Sequence, residues 1–182
     1  PSTELALEAG LTIGDTRGIV TNEFMQTNDP AIYALGDAAE NKDFITAQPK
    51  RVPLAWPAHR QAYIIANHIS GNDIPFKGML GTSIAKVFDL SVGMTGLGKR
   101  SLSETDFSFK TVIQKSKSNA SYYPDHADLF LKIHYDAHSR KILGAQAIGA
   151  KGVDKRIDVI ATAIYAGLTI DDLQALELAY AP

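Results

Sequence analysis

The sequence predicts an α+β protein built from two unlike parts, and three observations carry that reading. A five-residue apolar run, Ala31-Ile32-Tyr33-Ala34-Leu35, stops at Gly36-Asp37 and reads as a buried strand of the parallel-sheet type. After Pro53, Ala55, Ala58, Ala62, Ile65, Ala66 and Ile69 recur at three- and four-residue steps, the period of a helix. Beyond Pro75 strands come first and helices after, the order of an antiparallel sheet with helices laid on it.

Taken in order, residues 1–26 read as helix, turn and short strand. Thr3 is placed to cap a turn holding Leu5 and Leu7, Gly10 ends it, and Gly18 precedes Ile19-Val20-Thr21. Residues 41–53 are polar, with prolines at 49 and 53, and read as a loop. The helix after Pro53 is stopped by Gly71 and Pro75, which sets the domain boundary near residue 73. Its small alanine-rich face would let another backbone approach closely. Ile84–Phe88 and Ser91–Thr95 read as two strands joined by a short turn. Phe107, Phe109, Thr111 and Ile113 alternate with polar positions, as do Leu129, Leu131, Ile133 and Tyr135. A hairpin loop over Asp136–Lys141 leads into Ile142–Ile148. Val153, Ile157, Ile160, Ala161 and Ile164 then mark an amphipathic helix ending at Gly167. Thr169 with Asp172 is a capping signal for a last short helix, with Asp in the usual Glu or Gln position.

Composition narrows the function. The 182 residues are 45% hydrophobic and 21% charged, the balance of a globular protein. Eighteen basic against twenty acidic side chains give a net charge of -2, which argues against nucleic acid or an anionic membrane as partner. No apolar run reaches the length of a membrane span. There is no cysteine, so disulfides, thiolate metal sites and a cysteine nucleophile are excluded within this chain. The chain opens at Pro1 and ends at Pro182 with neither an initiator methionine nor a signal-like segment, which suggests a piece of a longer protein.

Three places invite a chemical reading. Gly36-Asp37 follows the predicted strand, where a carboxylate accepts hydrogen bonds from ligand hydroxyls and a glycine lets the ligand come close; the alternative is a plain turn cap. The helix start over Leu54–Gln61 offers unpaired N–H groups to an electron-rich atom, with Trp56, His59 and Arg60 able to frame a flat ligand. Trp56 as core filler is the alternative there. Tyr122, Tyr123 and Tyr180 are hydrogen-bond donors to a developing anion, or else an aromatic turn and a chain end. The five histidines share no metal-ligand spacing, so no metal is expected. Gly144–Gly152 lacks the Ser or Thr of a phosphate loop, and Lys115–Ser118 reads as a solvated loop.

Several segments together resemble a known family. Met25–Ala38 resembles the second FAD-binding motif of the pyridine nucleotide-disulfide oxidoreductases. Gly81–Leu90 with Thr95-Gly96-Leu97 is similar to the opening strands of that family's C-terminal dimerisation domain. Ser121-Tyr122-Tyr123-Pro124 and Leu178-Ala179-Tyr180-Ala181-Pro182 resemble the branch containing CoA-disulfide reductases, NADH oxidases and NADH peroxidases. The resemblance implies that residues 1–73 are the returning part of an α/β FAD-binding domain and residues 74–182 a dimerisation domain.

It also implies roles. Gly36 and Asp37 would meet the ribitol of FAD, and Leu54, Ala55 and Trp56 would bring a helix N-terminus to the flavin pyrimidine edge. Tyr122 and Tyr180 would reach the active-site sulfur of a partner subunit, with Tyr123 able to replace Tyr122. Trp56 and His59 stand where relatives often carry glycine and asparagine, and Asn119 where many have histidine. The implied parent is an FAD-dependent homodimer, cytoplasmic, passing electrons from NADH or NADPH to CoA disulfide or CoA persulfide through a cysteine outside this chain. An NADH oxidase or peroxidase is the runner-up. A non-catalytic assembly module is the reading from another class.

Overall fold

The computed structural model describes residues 1–179. The chain divides into two compact units, one over residues 1–81 and one beginning at Thr82. No helix among the described residues is long and apolar enough to cross a membrane.

The first unit runs α1 (Glu4–Glu8), β1 (Ile19–Val20), a 3-10 turn (Gly36–Ala38), β2 (Ala39–Lys42), β3 (Pro49–Lys50) and α2 (Ala55–Ile69). β1 pairs parallel with β2, placing Ile19 opposite Ala39, and β3 pairs antiparallel on the other side of β2. Met25, Ala34, Ala39, Val52, Ile64, Phe76 and Met79 form the core. At the start of α1 the Thr3 side chain makes no capping hydrogen bond, contrary to expectation.

Two expectations in this unit are corrected. Ala31–Leu35 is not a strand. Thr27 N donates to Ile32 O and Ala34 N to Met25 O, so the run folds back on the segment before Pro30 in an irregular turn. The strand comes later, at Ala39–Lys42, and runs into the stretch from residue 41 that was expected to be a loop. Two of its polar residues, Glu40 and Asn41, are buried because each has partners. The Glu40 carboxylate accepts from Thr16 N at 2.7 Å and from Thr16 Oγ1 at 2.6 Å, while Asn41 Nδ2 donates to Thr21 Oγ1 and Asn22 O. The buried face of α2 also differs from the alanine stripe. Gln61 and Ile64 are buried, whereas Ala55, Ala62, Ala66 and Ile69 point outward from this unit.

The second unit is a five-stranded antiparallel sheet in the order β4 (Ser83–Val87), β5 (Leu90–Gly96), β8 (Ile142–Gly149), β7 (Asp128–Asp136), β6 (Phe109–Lys117). Helix α4 (Val153–Tyr165) lies on one face, burying Val153, Ile157, Ile160, Ala163 and Ile164. Gly93 makes this fit possible: a Cβ there would sit 2.8 Å from Ile157 Cγ1 and 3.0 Å from Val153 Cγ1. The other face stays open. Val92, Ile148 and Phe130 sit in register across it, with Met94 and Ile113 one row away, and all five are exposed.

Helix α5 (Ile170–Ala175) begins with the expected capping box, Thr169 and Asp172 bonding reciprocally. A short helix, α3 (Lys99–Leu102), had no clear sequence signal; it carries the fully buried Leu102. Lys115–Ser118 is not a solvated loop. Its lysines lie in β6, and Ser118, just after the strand, is buried.

Candidate functional site

In the first unit the chemistry gathers where the 3-10 turn meets the start of α2. Gly36 has φ 71°, a left-handed conformation suited to glycine, and its N–H donates to Gln61 Oε1 at 2.7 Å. The space beside it is open, since an added Cβ would meet only Ala58 Cβ at 3.6 Å. Asp37 therefore precedes β2 rather than following a strand. Its carboxylate is exposed and takes no hydrogen bond among the described residues, so it does not act as a turn cap. The backbone behind it is held instead, by Arg51 Nη1 donating to Asp37 O at 3.2 Å and Arg51 Nε to Thr16 O.

Helix α2 opens on Leu54 in extended backbone with no side-chain cap. Pro57 has no N–H, and Ala58 N already bonds Leu54 O. The N–H groups of Ala55 and Trp56 are left without a partner among the described residues, at the positive end of a fifteen-residue helix. Trp56 is 78% exposed, with its ring 6.0 Å from that of His59, so it is no core filler within this chain. A free carboxylate, two free N–H groups and an uncovered indole fit a ligand that presents hydroxyls and an electron-rich flat ring.

The second unit holds the tyrosines. Residues 118–127 form the loop between β6 and β7, and Tyr122 stands on it 75% exposed, against 45% for Tyr123. The two rings meet edge to face at 6.3 Å. Below the loop, Lys115 and Lys117 both grip Asp128, at 2.8 and 2.6 Å, and these bonds pull the Asp128 carboxyl down to about 2. Ser118 N donates to Ala127 O at 2.8 Å and Ala127 N to Ser118 Oγ at 3.0 Å, which closes the loop neck. Tyr180 lies outside the described residues.

Sequence reasoning missed Arg51, which spans two backbone carbonyls, and Arg156, whose Nη2 donates to Ser118 O at 2.7 Å. Neither stands in a motif. Arg51 reaches carbonyls 14 and 35 residues away and Arg156 one 38 residues away, which no local pattern signals. Among the described residues no group of three or more His, Cys, Asp or Glu side chains is arranged to hold a metal ion.

The profile described as the pyridine nucleotide-disulphide oxidoreductase dimerisation domain matches residues 82–182, and a companion pyridine nucleotide-disulphide oxidoreductase profile matches residues 1–62. The chain belongs to the pyridine nucleotide-disulphide oxidoreductases. This is the family its motifs resembled, and the α+β fold with an antiparallel sheet is the one expected. Within the family, the chain is 44% identical over 170 residues to a coenzyme A disulfide reductase of Staphylococcus aureus, covering 92% of this chain and 38% of the relative. The reduced CoADR-RHD of Bacillus anthracis superposes with a TM-score of 0.96 at 50% identity, over all of this chain and 33% of that one. A NAD-dependent persulfide reductase from A. fulgidus superposes equally well at 41% identity, over all of this chain and 34% of that one. The chain thus spans about two fifths or less of the length of these family members.

Proposed function

We propose that this chain is the FAD-contacting and dimerising portion of an NAD(P)H-dependent flavoenzyme that reduces CoA disulfide or CoA persulfide. The observation that carries the reading is the joint likeness, across almost the whole chain, to relatives named for CoA disulfide and persulfide reduction.

The first unit suits FAD. Asp37 would accept from the ribitol hydroxyls, Gly36 would give the chain room beside it, and the Leu54–Trp56 helix start would direct the Ala55 and Trp56 N–H groups at the pyrimidine edge. That edge gains negative charge on reduction, so free N–H groups at a helix N-terminus favour the reduced form. Bound FAD would relay the electron pair of NAD(P)H to a thiol–disulfide centre. The redox cysteine would come from outside this chain, which has none. Overall, CoA disulfide, NAD(P)H and a proton give two CoA thiols and NAD(P)+.

Tyr122 would serve at the sulfur end. Its phenol O–H would donate a hydrogen bond to a departing thiolate, where a donor aimed at the developing charge is worth most. Its exposure in this chain is consistent with a target on a partner subunit. Tyr180 is proposed for the same role from the sequence resemblance.

The test uses the full-length protein. Under anaerobic conditions, NADH or NADPH should be oxidised with CoA disulfide or CoA persulfide as sole acceptor; turnover with peroxide alone would replace this reading with a peroxidase. Replacing Asp37 by Ala should lower bound flavin per subunit at least about tenfold after dialysis, the loss of one charge-assisted hydrogen-bonding group. Full flavin content in that variant would remove Asp37 from the cofactor site.

A further inference from the structure

We propose that Arg156 is a positioning residue for Tyr122, an inference that rests on the reading of Tyr122 as a donor to substrate sulfur. The loop over 118–127 is far longer than the two to five residues that suffice to join neighbouring antiparallel strands. Left alone, such a loop would sample many conformations, and its phenol would be poorly aimed. Two cations, Arg156 in the first turn of α4 and Lys151 just before the helix, prevent this. Arg156 Nη2 donates to Ser118 O at 2.7 Å, fixing the loop where it leaves β6. Lys151 Nζ donates to Asp125 O at 3.1 Å on the return side.

Arg156 reaches the neck because of what precedes α4. Gly152 caps the helix at φ 73°, and an added Cβ would stand 2.8 Å from Arg156 Nη1. The guanidinium thus lies across a bare backbone, with Nη1 also near Gly152 O at 3.4 Å. Ser118 is buried, and its N–H and hydroxyl are already committed within the neck. Its carbonyl is the one group there that answers to α4. Tyr122 sits between the two tethers, and among the described residues its hydroxyl has no hydrogen bond and its ring meets only that of Tyr123 on the same loop, so its aim is set through the backbone.

Holding a donor where charge develops strengthens a reaction without touching the reacting atoms. Arg156 therefore acts on the sulfur step and leaves flavin reduction by NADH alone. The experiment is rapid-mixing kinetics on the full-length enzyme, reading flavin reduction by NADH and CoA-disulfide reduction by the reduced enzyme separately. Four variants are compared: Tyr122→Phe, Arg156→Gln, Arg156→Lys and the double Tyr122→Phe/Arg156→Gln.

Arg156→Gln should slow the disulfide step on the order of tenfold with flavin reduction unchanged. Arg156→Lys, keeping one charged donor, should recover part of that loss. The double variant should be no slower than Tyr122→Phe, because a mis-aimed phenol costs nothing once its hydroxyl is gone. Additive losses, or an unaffected Arg156→Gln beside a slowed Tyr122→Phe, would overturn the role of Arg156 while leaving Tyr122 in place. An unaffected Tyr122→Phe would overturn the Tyr122 reading and the inference with it. Should Arg156→Gln fail to fold, Arg156→Lys alone and combined with Tyr122→Phe answers the same question.

Discussion

His134 is fully buried in β7, and its two ring nitrogens fare differently. Nδ1 shares a hydrogen bond of 2.8 Å with Thr111 Oγ1, whereas Nε2 has no partner among the described residues. The Phe109 ring meets the imidazole edge-on. Burial pushes its pKa below the ordinary 6.5, and the positive charges of Lys132 and Lys99 add to the shift. The unfolded chain therefore takes up this proton before the folded one does. Stability from this group is complete above about pH 6.5 and is lost as pH falls from there through the lower folded value. Unfolding midpoints recorded from pH 8 to pH 5 should fall on the acid side, and His134→Gln should flatten that fall. An unchanged slope in the variant would assign the acid sensitivity elsewhere. The composition marks five histidines as equals; only the fold separates this one, because Phe109 and Thr111 of β6 meet it across the sheet.

Legibility varied with how local the cause is at the level of elements. Helix α4 was plain from its period, since Val153, Ile157, Ile160 and Ile164 all turn inward, and the Thr169–Asp172 cap was plain because both partners lie within one turn. The strand Ala39–Lys42 was hidden because Glu40 and Asn41 are buried by hydrogen bonds to residues about twenty positions earlier, which hydrophobic periodicity does not register. Ala31–Leu35 misled for the converse reason: an apolar run looks like a buried strand, yet here only Ala34 is buried and the run folds as an irregular turn. Gly36-Asp37 was found as a pair, yet its place before β2 followed only from the corrected strand. The seam between α4 and β5 gives a sharp test of packing. Gly93→Ala would place a methyl group against Ile157 Cγ1 and Val153 Cγ1, both buried and without room to retreat. It should cost about 1–3 kcal/mol in urea unfolding. A neutral substitution would mean that α4 sits further from the sheet than described.

For the molecule as a whole, the sheet of the second unit is asymmetric. One face is covered by α4; the other exposes Val92, Met94, Ile113, Phe130 and Ile148 in adjoining rows. The Val92–Ile148–Phe130 row is unbroken, whereas Gln146 and Lys132 part Met94 from Ile113 in the next. An exposed apolar row of this kind is rarely left to water, and the matching family description is a dimerisation domain. We propose this face as part of the contact with a second copy. Ile113→Glu combined with Phe130→Glu should weaken the dimer of the full-length protein at least about tenfold, read by sedimentation across a concentration series. An unchanged dimer would assign the contact to another surface.

The strand order has a kinetic side as well. β6, β7 and β8 follow one another as neighbours, and β4 with β5 is a tight hairpin, so even the longest connection within either group, residues 118–127, is far shorter than the span between the groups. The seam joining them is β5 to β8, with Thr95 opposite Ala145, a span of 50 residues along the chain. Closing that span costs loop entropy before any contact compensates it, so the hairpin and the meander form early and their union is the slow event. Until then the edges of β5 and β8 stand open side by side on a growing polypeptide. A second nascent copy offers the same two edges, so exchange of hairpins between chains is the misassembly this topology has to outrun.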